Sequence, residues 1–228
     1  MAKLYIIPTP IGNLEDITYR ATRLLNQVEL ILAEDTRNTR RLLEHYQIEG
    51  EVESHHKFNE HKKAGALAQR IKQKNLTAAL VSDAGTPGIS DPGYLLINNC
   101  LEQGGDIATL PGATPFLPAL VHSGLPRDVF VFEGFLPHKK GRKKRLEFLA
   151  GEDRTMVLYE SPYRLIKTLQ QLAEYMGNDR KASVSRELTK IHEENARGTL
   201  GELIHHFENR KIKGEIVLIV QGQPKRSY

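Results

Sequence analysis

Three short apolar runs, residues 4–7, 77–81 and 107–110, each pass straight into a loop built from proline and glycine. The loops read Pro8-Thr9-Pro10-Ile11-Gly12-Asn13, then Ser82-Asp83-Ala84-Gly85-Thr86-Pro87-Gly88-Ile89-Ser90-Asp91-Pro92-Gly93, then Pro111-Gly112-Ala113-Thr114-Pro115. Between the runs lie amphipathic stretches. A helix capped by Asp16 or Thr18 runs to about Asn26, and others are predicted over 36–46, 60–74, 94–102 and 115–122, with a further strand over 30–33. Alternation of this kind predicts α/β layers around a mainly parallel sheet.

Near residues 123–127 the pattern restarts. Strands are predicted over 129–132, 156–159, 182–186 and 216–220, with helices over 163–176 and 200–207, and an extended stretch after Thr189. Several strands close together predict a mixed sheet here. The expectation is two tandem α/β domains, residues 1–122 and 128–228, joined by a linker at about 123–127.

With 228 residues and 39% hydrophobic content, the chain can bury a core in each domain. The N-terminus lacks the order of a secretory signal, and no apolar run approaches the length of a membrane span. The single Cys100 forms no internal disulfide, which suits a reducing, cytoplasmic setting. The net charge of +4 is mild, but six of the eight residues 138–145 are Lys or Arg: Lys139, Lys140, Arg142, Lys143, Lys144 and Arg145. Such a run attracts phosphates without reading sequence, or it is a solvated connector.

Loops at the carboxyl ends of strands are where open α/β sheets bind ligands, and glycines let the backbone approach a ligand closely. Asp83, just past a strand end, can accept hydrogen bonds from a ligand ammonium or hydroxyl; a local turn cap is the plainer role. No G-x-x-x-x-G-K-[ST] and no G-x-G-x-x-G is present, which counts against a P-loop or an ordinary dinucleotide site. Residues 33–41 place Glu34 and Asp35 at a strand end, followed by Arg37, Arg40 and Arg41 on the next helix. They form either a capped, solvated basic face or a set of phosphate contacts. In the second half, Glu160, Glu187 and Lys190 are candidates for activating or positioning a hydroxyl, with a surface ion-pair network as the alternative. One cysteine and scattered histidines give no metal-site pattern.

Taken together, residues 5–14, 33–39, 82–93, 110–113, 159–162 and 186–190 resemble the tetrapyrrole-methylase-like methyltransferases, a class III S-adenosylmethionine-dependent family. Within it, the chain is most similar to the group that acts on small-subunit ribosomal RNA. The resemblance implies two α/β domains with S-adenosylmethionine in a cleft between them, usually in a homodimer. It implies methylation of the ribose 2′-hydroxyl of a decoding-centre cytidine in 16S rRNA. Cofactor contacts are then expected at Pro10, Asp83, Gly85, Thr86, Pro87, Ile89, Ala113, Thr114, Tyr159 and Ser161. Glu187 or Glu160 would draw off the proton, with Lys190 and Arg37 holding the nucleotide. RNA backbone contacts would come from Arg37, Arg40, Arg41 and the 138–145 run. The group commonly carries a further small C-terminal segment, whereas this chain ends at Tyr228. Two other functions stay open: a small-molecule tetrapyrrole methylase, and a non-catalytic RNA-binding assembly factor.

Overall fold

The computed structural model describes residues 2–223. The chain divides between Thr114 and Pro115 into two compact α/β units. The first runs β1 (Lys3–Ile6), α1 (Tyr19–Leu25), β2 (Leu30–Ala33), α2 (Thr36–His45), β3 (Val52–Ser54), α3 (Lys57–Gln73), β4 (Thr77–Val81), α4 (Tyr94–Glu102) and β5 (Asp106–Thr109). Its five strands are all parallel, in the order β3-β2-β4-β1-β5. Two of the helix starts have a local cause. Thr18 accepts from Ala21 N at 3.0 Å to cap α1, and Asp35 accepts from Arg37 N at 2.9 Å to cap α2.

Because side chains alternate along a strand, the sheet has two apolar faces. Leu4, Ile6, Leu30, Leu32, Ala78 and Leu80 pack under α3 and α4, against Leu67, Ile71, Leu96 and Cys100. Ile31, Ala33, Ala79 and Val81 pack under α1 and α2, against Ala21, Leu24, Leu25 and Leu43. Burial of each leucine or isoleucine among them contributes about 2 kcal/mol. The neighbouring strands β1 and β4 are therefore followed by helices on opposite faces. Their carboxyl ends form a topological switch point.

The second unit runs α5 (Phe116–Ser123), β6 (Phe130–Phe135), α6 (Arg142–Ala150), β7 (Thr155–Glu160), α7 (Leu165–Met176), β8 (Lys181–Arg186), β9 (Glu194–Thr199), α8 (Leu200–Phe207) and β10 (Ile216–Val220). Its sheet is mixed, in the order β6-β7-β10-β8-β9, with β10 antiparallel to both neighbours. One face is covered by α6, α7 and α8 through Leu146, Leu149, Leu165, Leu169, Leu172, Leu203 and Phe207.

Two sequence expectations require correction. The first is the domain boundary, expected at 123–127 with residues 115–122 in the first domain. In the structure α5 packs on β8 and β10 of the second sheet. Its buried face carries Ala119 and Leu120, and the Phe116 ring lies 5.0 Å from that of Phe132. Residues 124–127 are no free linker either, since Leu125 is buried and Pro126 O accepts from Thr155 Oγ1. The second bears on the 138–145 run, read as either phosphate contacts or a solvated connector: residues 142–145 open α6, so that part is no connector. The short strand β3 also went unread, because Val52-Glu53-Ser54 offers a single apolar residue.

At the far edge of the second sheet, Glu194 closes the β8–β9 hairpin. It accepts from Arg186 Nε and meets His206 Nε2, both at 3.0 Å, with Arg210 alongside. Burial opposes its charge, but the His206, Arg210 and Arg186 bonds outweigh this and bring its pKa from 4.5 down to about 2. A carboxyl with a depressed folded pKa stabilises the fold above its unfolded value, and that contribution is lost as pH falls. We expect urea stability to decline between about pH 4.5 and about pH 2. The Glu194→Gln chain should start less stable at neutral pH and show a shallower decline over this window.

Candidate active site

Hydrogen bonds knit together the three proline- and glycine-bearing loops. Thr9 and Gly85 form an isolated antiparallel bridge, Thr9 N to Gly85 O at 3.0 Å and Gly85 N to Thr9 O at 2.9 Å. The Thr9 hydroxyl donates to Ser82 O at 3.0 Å, and the Ser82 hydroxyl donates to Gly85 O at 3.1 Å. From the other side, Thr86 Oγ1 donates to Ala113 O at 3.2 Å and lies 2.7 Å from Thr114 Oγ1. Gly112 is required at its position: a Cβ there would stand 2.7 Å from Pro8 Cβ. The loops after β1, β4 and β5 thus behave as one rigid rim over the switch point.

Pro10, Asp83, Gly85, Thr86, Pro87, Ile89, Ala113 and Thr114, all singled out in the sequence, are brought together on this rim. Their roles differ. Gly85 and Pro87 are buried and shape the loop, whereas Asp83 and Ile89 are exposed. A cavity of about 210 Å³ opens beside them, lined by Thr9, Pro10, Gly12, Asn38, Arg41 and Asp83 among others. Pockets for whole small ligands usually measure roughly 300–1,000 Å³, so this one is too small to enclose such a ligand.

Carboxylates at the ends of β2 and β4 sit in contrasting environments. Asp83 accepts from Asp35 N and from Asn38 Nδ2, both at 3.1 Å. Asp35 is paired with Arg37, whose hydrogen bonds lower its pKa to about 2. Glu34 is half-buried; burial, with the nearby charges of Asp83 and Asp35, raises its carboxyl above the ordinary range against the pull of the Asp83 N–H. A carboxyl so raised is the better proton acceptor of the three. Arg37 is committed to Asp35, while Arg40 and Arg41 stand exposed on α2.

Beneath the rim lies a residue the sequence did not single out. Glu60, on α3 and 8% exposed, accepts from Gly93 N at 2.8 Å and Leu95 N at 3.0 Å. It caps the start of α4 and fastens the end of the 82–93 loop to a neighbouring helix. The same position would be strained for most residues, since Gly93 has φ 136° and a Cβ there would meet Leu80 at 2.7 Å. His55 lies fully buried with its Nε2 3.7 Å from Glu60, and burial pushes its pKa down, so it stays neutral. A glutamate inside an otherwise apolar helical stripe with Ala64 and Leu67 was the available signal.

In the second unit, the candidates are largely spoken for. Glu160 is a correction: it is 3% exposed and accepts from Ser161 N (2.7 Å), Arg164 Nε (2.9 Å) and Thr168 Oγ1 (2.6 Å), which leaves no room for a base. Arg142 is another correction, because its guanidinium is buried and donates to Gln171, Pro137 O and Thr168 rather than facing solvent. Arg145 is bound to Glu133. Lys139, Lys140, Lys143 and Lys144 remain exposed. Glu187 Oε1 accepts from Lys190 Nζ at 3.0 Å and Glu215 N at 3.1 Å; burial opposes its charge, yet these bonds prevail and hold its pKa low. Tyr159 packs edge-on to Phe132, with ring centroids 5.3 Å apart, and Ser161 shapes the turn that follows β7. Among the described residues, no cluster of three or more His, Cys, Asp or Glu side chains could hold a metal ion. No described helix is long and apolar enough to cross a membrane.

The chain thus joins a parallel sheet, with a glycine- and proline-built rim at its switch point, to a mixed α/β unit. Residues 3–204 match the sequence model of the Tetrapyrrole (Corrin/Porphyrin) Methylases, and the chain belongs to that family. It is 48% identical over 223 residues to a protein of Synechocystis sp. named ribosomal RNA small subunit methyltransferase I, covering 97% of this chain and 80% of that one. The protein of the same name from Thermotoga maritima is 45% identical, covering 98% of this chain and all of its own. Among solved structures, uroporphyrin-III C-methyltransferase from Thermus thermophilus, complexed with S-adenosylhomocysteine, superposes with a TM-score of 0.66 at 17% identity. That match covers 96% of this chain and 97% of the other.

Removing the Glu60 acceptor strands two N–H groups in the interior. Glu60→Ala should therefore cost about 3 kcal/mol in urea unfolding, and Glu60→Gln, which keeps an acceptor oxygen, clearly less. Equal stability of all three chains would show that the 82–93 loop does not depend on Glu60.

Proposed function

We propose that this chain transfers the methyl group of S-adenosylmethionine to small-subunit ribosomal RNA, at the ribose 2′-hydroxyl of a decoding-centre cytidine, in the cytoplasm. The observation that carries the reading is the bridged rim over the β1–β4 switch point, beside Glu34 and Asp83, in a chain whose relatives of 45% and 48% identity bear rRNA methyltransferase names.

The residues present fit the donor. Its sulfonium and ammonium groups are cationic, and Asp83 offers a carboxylate at the rim. Gly112 admits Pro8 against the main chain, and Gly88, with φ 80°, turns the 82–93 loop, so the rim keeps its shape beside the donor. When bound, the donor supplies an already activated methyl group. The chain's task is then to hold the acceptor hydroxyl in line and take its proton. Glu34 is the carboxylate suited to that, since its raised pKa matches proton acceptance better than Glu187 or the fully engaged Glu160. RNA phosphate contacts are assigned to Arg40 and Arg41 in the first unit and to Lys139, Lys140, Lys143 and Lys144 in the second.

Labelled-methyl transfer to small subunits from a strain lacking the enzyme tests the reading. Label is expected in 16S rRNA at one ribose, which then resists alkaline cleavage. Label confined to a tetrapyrrole, or no transfer with donor bound, would overturn it. For the base, Glu34→Gln should lower kcat by about 10²–10⁴-fold. The parent should lose activity as pH falls through the raised Glu34 pKa, and the variant should lack that acid limb.

A further inference from the structure

The second sheet gathers four loops at one end. Phe135 of β6 pairs with Tyr159 of β7, Ile216 of β10 pairs with both Glu160 and Arg186, and Arg186 of β8 pairs with Glu194 of β9. The segments 136–141, 161–164, 187–193 and 211–215 therefore leave the sheet side by side.

Two large apolar side chains stand almost wholly in solvent there, Tyr163 at 95% and Ile191 at 98% exposure. Tyr163 is not on a slack loop. Arg164 is held by Glu160, with Nη2 to Oε1 at 2.8 Å, and by His138, while Ser161 O accepts from Arg164 N at 2.9 Å. The ring is presented on a turn already fixed before any partner arrives. The acidic groups at this end are engaged: Glu187 and Glu215 with Lys190, Glu194 with Arg186, and Glu193 with Thr189 N and Asn195. Lys139, Lys140, Lys211 and Lys213 extend exposed from the neighbouring loops.

We infer that this end of the second sheet receives single-stranded RNA, with Tyr163 stacking on an unpaired base and the four lysines on the flanking phosphates. The inference rests on the rRNA methyl-transfer reading and names the surface that grips the substrate. Stacking needs a base whose face is free, which a duplex does not offer. The core of a protein interface is depleted of charged residues, whereas the loops at this end carry exposed Lys139, Lys140, Lys211 and Lys213.

The test uses the full chain and a labelled single-stranded oligoribonucleotide of about ten nucleotides, alongside methyl transfer to small subunits and calorimetry with S-adenosylmethionine. Tyr163→Ala should weaken oligonucleotide binding on the order of tenfold, with donor affinity unchanged and Tyr163→Phe close to the parent. Neutralising the four lysines to Gln should flatten the slope of log affinity against log salt by about 3, near 0.7 for each phosphate no longer neutralised. Parental oligonucleotide affinity in Tyr163→Ala overturns the stacking site. Lost subunit methylation with unchanged oligonucleotide binding assigns the end to a protein partner and overturns the RNA surface. A parent that transfers no methyl group to subunits refutes the functional reading instead; weakened binding in Tyr163→Ala would then still locate an RNA site.

Discussion

Two backbone hydrogen bonds between Thr9 and Gly85 hold the functional end of the first unit together. Loops at strand ends are ordinarily the mobile part of an α/β fold. Here the loop after β1 is bonded to the loop after β4, which is bonded through Thr86 to the loop after β5. Prolines reduce the freedom of the unfolded loops, and Gly112 allows Pro8 to sit against it at a distance no side chain would tolerate. A rim fixed in advance costs less ordering when a ligand binds, which favours tight and oriented binding. Glu60 extends the same restraint downward, because it ties the 82–93 loop to α3.

Carboxylates illustrate how environment assigns chemistry to one functional group. Asp35 beside Arg37 is held ionised, and its chain neighbour Glu34, half-buried near two other acids, is pushed toward the neutral form. Glu60 serves as a helix cap and Glu160 as the hub of an internal arginine and threonine network. Glu187 looks poised in the sequence beside Lys190, yet the ammonium lowers its basicity. What separates these carboxylates is burial and the sign of the nearest charge, the two quantities that move a pKa most.

The second unit solves a different problem with a mixed sheet. Antiparallel β10 between β7 and β8 places the start of one strand next to the ends of two others, so four loops crowd one end. Arg142 is buried against Thr168 and the partly exposed Arg145 is paired with Glu133, which leaves the lysines of the same run to solvent. A basic run is therefore divided by the fold into paired arginines and outward lysine charge.

Much of the layout was legible in the residues. Strands β2, β4 and β10 and helices α4 and α8 have the bounds read from periodicity, since apolar runs and amphipathic stripes are local properties. The rim loops were legible too, because proline and glycine constrain the chain wherever they stand. The sequence could not assign α5 to the second unit, since its apolar stripe suits any sheet and only packing chooses between them. Nor could it show that Arg142 and Glu160 are consumed internally, that Glu34 is the raised carboxyl, or that Glu60 supports a loop more than thirty residues away. Those are properties of neighbours distant in the chain, which burial and electrostatics acquire only once the tertiary structure brings them together.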